Sequence, residues 1–308
     1  MKRFKNILYA VNALNFSCSG LSQAVRWAHE NGGSCTIKVV YPDYPKAHDE
    51  LPPAFIQKLE QDLLRQVHDY LDQHSIDKSI IEIGLMASAK PALALVNASI
   101  NSKSDILIKA AEDESSAGFR AFDNTILRNA ACPVYLVRNE PCGNDSMAVA
   151  IDAETTTPEE RELAIKLLRV AYSMAHAHGK KLHVISCWQY IFDDFVSNST
   201  WSHLSDAETI QLLRAHEKSH FEQLCSLIEA SGACSDDLII HHKRGAPESI
   251  VPLVLKSHEI NTLVIGSLSR AGFLGLLIGN TAENLLQKLS CSVLTFKPDE
   301  FKSPLEAS

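Results

Sequence analysis

The chain has 308 residues, more than a single core of about 100–200 residues requires and comfortable for two domains. Apolar residues make up 45% and charged residues 21%, ordinary values for a globular protein, and no apolar run approaches the ~18 residues of a membrane-spanning helix. The formal net charge of -8 argues against a protein that wraps nucleic-acid backbone, which needs a basic face.

The first residues, MKRFKNILYAVNALNFSC, imitate a secretory leader with a basic start and an apolar stretch. Two asparagines interrupt that stretch and no small-x-small cleavage site closes it. The same pattern recurs at SMAVAID (146–152), where no leader operates, so the N-terminus is expected to be a first strand. Strands are then predicted at Asn6–Val11, Cys35–Tyr41, Ile80–Leu85, Asp105–Lys109 and Pro133–Arg138. Between them helices are predicted near Gly20–Asn31, Ala54–Gln73, Pro91–Asn101 and Asn124–Ala130. Leu59, Leu63, Val67 and Leu71 recur at every fourth position and make one apolar face.

NEPCGNDS (139–146) reads as a linker, and the order of elements then repeats. Strands are predicted at Met147–Asp152, Leu182–Cys187, Leu238–Lys243, Leu263–Gly266 and Val293–Lys297, and helices at Pro158–Gly179, Ala207–Ser231, Pro247–Ser257 and Thr281–Leu289. Thr157, Pro158 and Glu160 form a helix start with a reciprocal capping pair. The closing segments TILRNAACPVYLVR (125–138) and NLLQKLSCSVLTFK (284–297) align directly, with Cys132 over Cys291. The predicted domains are therefore residues 1–140 and 146–308.

Apolar strands alternating with helices imply parallel sheets covered on both faces. The expected fold is α/β, with two tandem doubly wound five-stranded parallel sheets of Rossmann-like type. In such sheets ligands bind outside the carboxyl ends of the strands, where the winding reverses. Each half should carry a crevice formed after its first and fourth strands.

Three segments carry a family likeness: GAPESIVP (245–252), NTLVIGSLSRAGF (261–273) and GNTAENLLQKLSCSVLTFKPDEF (279–301). With the repeat, they resemble the universal stress protein family in its tandem form, and within it the E subgroup. The resemblance is specific across the last stretch and weaker in the first half. It implies two domains packed as a pseudo-dimer with their last strands paired. Nucleotide-binding members carry a Gly, two residues, Gly, nine residues, then Gly followed by Ser or Thr. Gly266 and Gly279 keep that spacing, Ser269 replaces the middle glycine, and Asn280 stands at the Ser/Thr position. The family's acidic residue after the first strand is matched by Asp152. The resemblance makes Asp152, Gly266, Ser269, Arg270, Gly272, Gly279, Asn280 and Thr281 the candidate binding residues.

Such a loop aims backbone N–H groups at an anion near a helix N-terminus. Ser269 costs roughly 1 kcal/mol wherever the turn needs positive φ, while Asn280 still caps a helix. In the first half the acidic position is Asn12, Lys109 replaces the first loop glycine, and Glu112, Asp113 and Glu114 would repel phosphate. The expectation is a stress-response protein without strong enzymatic activity, binding a small ligand, nucleotide or apolar, in the second crevice. GFLGLLI (272–278) suits the apolar case. ATP with weak hydrolysis in the second domain is the alternative. No nucleic acid is expected as partner, and a homodimer and an unidentified protein partner are left open.

Other patterns are weaker. HEKSH (216–220) matches H-E-x-x-H, which in zinc peptidases presents two ligands and a general base, with His203, His241 or His242 as third ligand. Lys218 between the histidines opposes a dication, and chance is the better reading, so no metal site is expected. HHKRG (241–245) places Lys243 and Arg244 at a strand end, and YIFDDFVSNSTWSHL (190–204) reads as a lid-like loop. The eight cysteines form no CxxC pair and are expected to be free, buried thiols in a reducing cytoplasm.

Overall fold

The computed structural model describes residues 4–43, 53–113, 115, 117–138, 146–189, 206–266 and 284–306. By contact these fall into two compact units, residues 4–138 with 289–306, and residues 146–266 with 284–288. Every strand expected from the sequence is present, and among the described residues no helix is long and apolar enough to cross a membrane.

In the first unit β1 (Asn6–Asn12), β2 (Ser34–Pro42), β3 (Ile81–Ser88), β4 (Ile106–Ala110) and β5 (Val134–Val137) form a parallel sheet in the order β3-β2-β1-β4-β5. The central strand is apolar without alternation. Ile7, Leu8, Tyr9 and Ala10 are all fully buried, because helices cover both faces of the sheet. At about 2 kcal/mol for each fully buried large apolar side chain, this strand anchors the unit. The helices are α1 (Leu21–Glu30), α2 (Pro53–Gln73), α3 (Pro91–Asn101) and α4 (Ala121–Asn129). The four-residue stripe on α2 turns inward, with Leu63, Val67 and Leu71 buried.

The second unit contains β6 (Met147–Ala150), β7 (Leu182–Trp188), β8 (Leu238–Arg244) and β9 (Thr262–Gly266), parallel in the order β8-β7-β6-β9. Its helices are α5 (Pro158–Ala177), α6 (Asp206–Ser231) and α7 (Pro247–Ser257). The predicted cap of α5 is formed: the Thr157 hydroxyl accepts from the Glu160 N–H at 3.2 Å, and the Glu160 carboxylate accepts from the Thr157 N–H at 3.2 Å. Pro252 lies inside α7 and cannot donate to the carbonyl of Glu248 four residues before it. The Lys288 ammonium donates to that carbonyl instead, at 3.2 Å.

The last strand, β10 (Ser292–Phe296), groups with the first unit. It runs antiparallel beside β5, with Leu294 opposite Tyr135. The helix predicted at Thr281–Leu289 is helical at residues 284–286, and its start lies outside the described residues.

The repeat extends to the helix ends. After α1 and α5 the chain turns through Gly32 and Gly179, with φ of 64° and 65°. After α3 and α7 it turns through Lys103 and Glu259, with φ of 50° and 51°. In each case the following N–H closes back on the last turn, as in Gly33 to Ala28, Lys180 to Ala175, Ser104 to Ser99 and Ile260 to Leu255. This is the Schellman arrangement, and the matching left-handed residues are independent of the apolar pattern that reveals the repeat in sequence.

Candidate functional site

In each sheet the winding reverses between the first and fourth strands, β1 and β4 in one unit and β6 and β9 in the other. The two strand ends differ chemically.

In the first unit the crevice is filled by the chain's own side chains. Lys109 lies within β4 and is 3% exposed, so its ammonium needs partners inside the protein. It finds the Glu112 carboxylate at 2.5 Å, the Asp123 carboxylate at 3.1 Å and the carbonyl of Ala110 at 2.7 Å. Asn12, at the end of β1, donates to both Glu112 oxygens at 3.2 and 3.1 Å, and Asn15 donates to the Glu112 carbonyl. The second oxygen of Asp123 accepts from the Glu112 N–H at 2.9 Å. Burial pushes the Asp123 carboxyl above the usual carboxylate range, against the opposing pull of Lys109. Asp113 pairs with Arg120, and buried Arg138 donates to the carbonyls of Asp113 and Gly118 while lying 4.7 Å over the Phe119 ring. Glu112 is thus an internal anion against Lys109. The sequence signalled this only through a cation inside an apolar strand. Glu114 lies outside the described residues.

The second unit places Asp152 just beyond β6 and Gly266 at the end of β9, so these two candidates stand at the carboxyl ends of neighbouring strands. Asp152 is exposed, and one of its oxygens accepts from the Glu154 N–H at 3.1 Å. Gly266 serves close packing: a Cβ there would meet Leu163 Cδ2 at 3.0 Å and Leu167 Cδ1 at 3.2 Å, both on α5. The Cys187 thiol is pushed up to about 11, first by burial and then by the charges of Asp152 and Glu248. Ser269, Arg270, Gly272, Gly279, Asn280 and Thr281 lie outside the described residues, as does the apolar stretch 272–278.

The H-E-x-x-H residues do not converge as a peptidase centre. Both histidines are on α6, but His216 Nε2 lies 3.4 Å from a Glu154 oxygen, whereas His220 Nδ1 lies 2.9 Å from His242 Nε2. Glu217 is exposed. His241 points to the other face of β8, since successive residues of a strand alternate. There it meets His183 and His258, two residues that no spacing in the sequence singles out. His203 and the loop 190–204 lie outside the described residues.

Lys243 and Arg244 are exposed at the end of β8, with the Arg244 guanidinium 5.7 Å over the Trp188 ring. The described cysteines are free, as expected. Cys18, Cys35 and Cys291 are buried, but Cys225 and Cys234 are exposed.

The family model described as Universal stress protein family matches residues 145–297. Over essentially its whole length the chain is similar to Universal stress protein E of Photorhabdus laumondii, with 25% identity covering 100% of this chain and 99% of that one. It is similar also to Universal stress protein E of Escherichia coli K12, with 22% identity covering 99% and 98%. Among solved structures, a functionally unknown protein from Pseudomonas aeruginosa PAO1 superposes with a TM-score of 0.70 at 21% identity, covering 97% of this chain and 94% of that one. A putative universal stress protein from Pseudomonas aeruginosa UCBPP-PA14 gives 0.68 at 20% identity, covering 97% and 95%. At these identities the structures share the fold alone. The chain belongs to the universal stress protein family, through the family match at residues 145–297 and the full-length similarity to Universal stress protein E of other organisms.

Proposed function

We propose that this chain is a non-catalytic stress-response protein of the cytoplasm, built of two tandem universal-stress-protein repeats, that binds a small ligand or partner in its second crevice. The observation that carries this reading is the contrast between the two strand ends. Lys109, Glu112, Asp123 and Asn12 satisfy one another in the first unit, and the Lys109 ammonium is taken up by two carboxylates, so it is not offered to an anionic ligand. Asp152 presents an exposed carboxylate in the second. The alternative is ATP with slow hydrolysis in the second crevice. It is supported by the retained Gly266 and Gly279 spacing and by Asp152 and Glu248, carboxylates suited to a hydrated magnesium ion.

Native mass spectrometry of freshly purified chain, with thermal shifts in ATP and magnesium, tests both. A retained small molecule that Asp152→Ala releases supports the first reading. A magnesium-dependent shift with ATP, lost in Asp152→Ala and accompanied by ADP formation, replaces it with the second. A chain that retains nothing and shifts with nothing overturns ligand binding at this crevice.

A further inference from the structure

Three imidazoles meet in the second unit, toward the amino ends of the strands and so away from the crevice. His183 is near the start of β7. The parallel register sets Ile185 opposite His241 on β8, so His183 and His241 share a face of the sheet. Their rings stack at 5.1 Å with planes 11° apart, and His183 Nδ1 lies 2.9 Å from His241 Nε2.

The third ring arrives from the helix that follows. The chain leaves β8 through Gly245, whose φ of 135° favours glycine, and α7 runs back along the sheet to its cap at His258. The Schellman closure through Glu259, with the Ile260 N–H donating to the Leu255 carbonyl at 2.9 Å, fixes where that cap falls. The His258 ring lies 4.6 Å from that of His241 and 5.1 Å from that of His183. One nitrogen from each histidine lies within 4.8 Å of the other two.

We propose that His183, His241 and His258 form a binding site for a zinc-type divalent metal ion, with three imidazole ligands and a fourth position open to water. Tetrahedral zinc with nitrogen ligands at about 2.0–2.1 Å sets neighbouring nitrogens roughly 3.3 Å apart, so the 2.9 Å separation of His183 and His241 is nearly the edge of that tetrahedron. Burial lowers the pKa of His183 and brings that of His241 down to about 4, which keeps both rings neutral, the form that ligates. For both lone pairs to converge on the metal, the ring that now donates between them moves its proton to its other nitrogen and both rings turn about their side-chain torsions. His258 is exposed and supplies the entry path, and the nearby cation Lys243 is exposed and free to extend into solvent. The site stands independently of what occupies the crevice.

The test is a titration of the untagged, chelator-stripped full chain with zinc alone, by calorimetry and native mass spectrometry, and with cobalt as a spectroscopic probe. One equivalent per chain and the visible bands of tetrahedral cobalt are expected. Substituting a direct ligand should weaken binding by at least the about 100-fold that losing an outer-shell partner can cost, in both His241→Ala and His258→Ala. His258 is exposed, so that variant tests the site without threatening the fold. His216→Ala and His220→Ala should bind as the parent does. Absence of stoichiometric zinc binding, or binding that survives His258→Ala and is lost in His220→Ala, overturns the proposal.

Discussion

Lys109 and Asp123 meet at 3.1 Å in a place where neither touches solvent, with the lysine side chain 3% exposed and the aspartate fully buried. Glu112 adds a second carboxylate to the same ammonium. Removing the cation leaves two carboxylates without it, and breaking a buried pair from one side costs about 3–5 kcal/mol. Lys109→Met should lower unfolding stability by that order, measured by urea denaturation. Adding Asp123→Leu to the same chain should recover part of it, since an apolar pair replaces a buried charge. A Lys109→Met chain as stable as the parent would show that the network contributes nothing.

Glu259 holds a left-handed φ of 51° at the end of α7, a conformation costing a side-chain-bearing residue about 1–2 kcal/mol. Its repeat counterpart after α3, Lys103, is held at a matching φ of 50°, whereas the equivalent turns after α1 and α5 use glycine. Glu259→Gly should therefore raise stability, by up to about 1 kcal/mol after the greater entropy lost by glycine on folding. The thermal midpoint should rise while zinc binding at His258 is unchanged.

Gly266 sits against two leucine methyl groups of α5. Alanine there gains from a stiffer unfolded chain by about 0.4–1 kcal/mol, which offsets the small movement asked of Leu163, so Gly266→Ala should be nearly neutral. Gly266→Val adds two methyl groups at the same contact and should cost about 1–3 kcal/mol. Denaturation midpoints of the two variants decide whether packing is the constraint.

Lys297 is buried beside the end of α4, donating to the carbonyls of Arg128 and Ala130, each at 2.7 Å. Burial lowers its pKa to about 7 from 10.5. Between those values the unfolded chain holds the proton and the folded chain does not, so this residue makes stability rise with pH. Burial raises Cys132 and Cys187 from 9.0 to about 11, and these thiols reverse the trend above pH 9. From pH 7 to 9 the parent should therefore gain stability relative to Lys297→Met. Melting curves at the two pH values that keep the same difference between the chains would refute this.

The strands, the helices and the repeat were legible because local periodicity and capping residues carry them. The Thr157–Glu160 cap and the stripe on α2 are visible in four consecutive positions or at a four-residue period. Glu112 was legible only as a repulsive charge. Its role as partner to Lys109 depends on β1, β4 and α4 being brought together, which no local spacing encodes. The same limit hid the histidine cluster, whose members are separated by most of the second unit.

Sequence by itself determined the α/β class and the alternation of strands and helices along the chain, because apolar burial and backbone sterics act over a few neighbouring residues. Tertiary structure alone decided which charges neutralise each other and which imidazoles meet. Those interactions act across a few ångströms of space, between residues that the parallel register and helix returns of the sheet make neighbours.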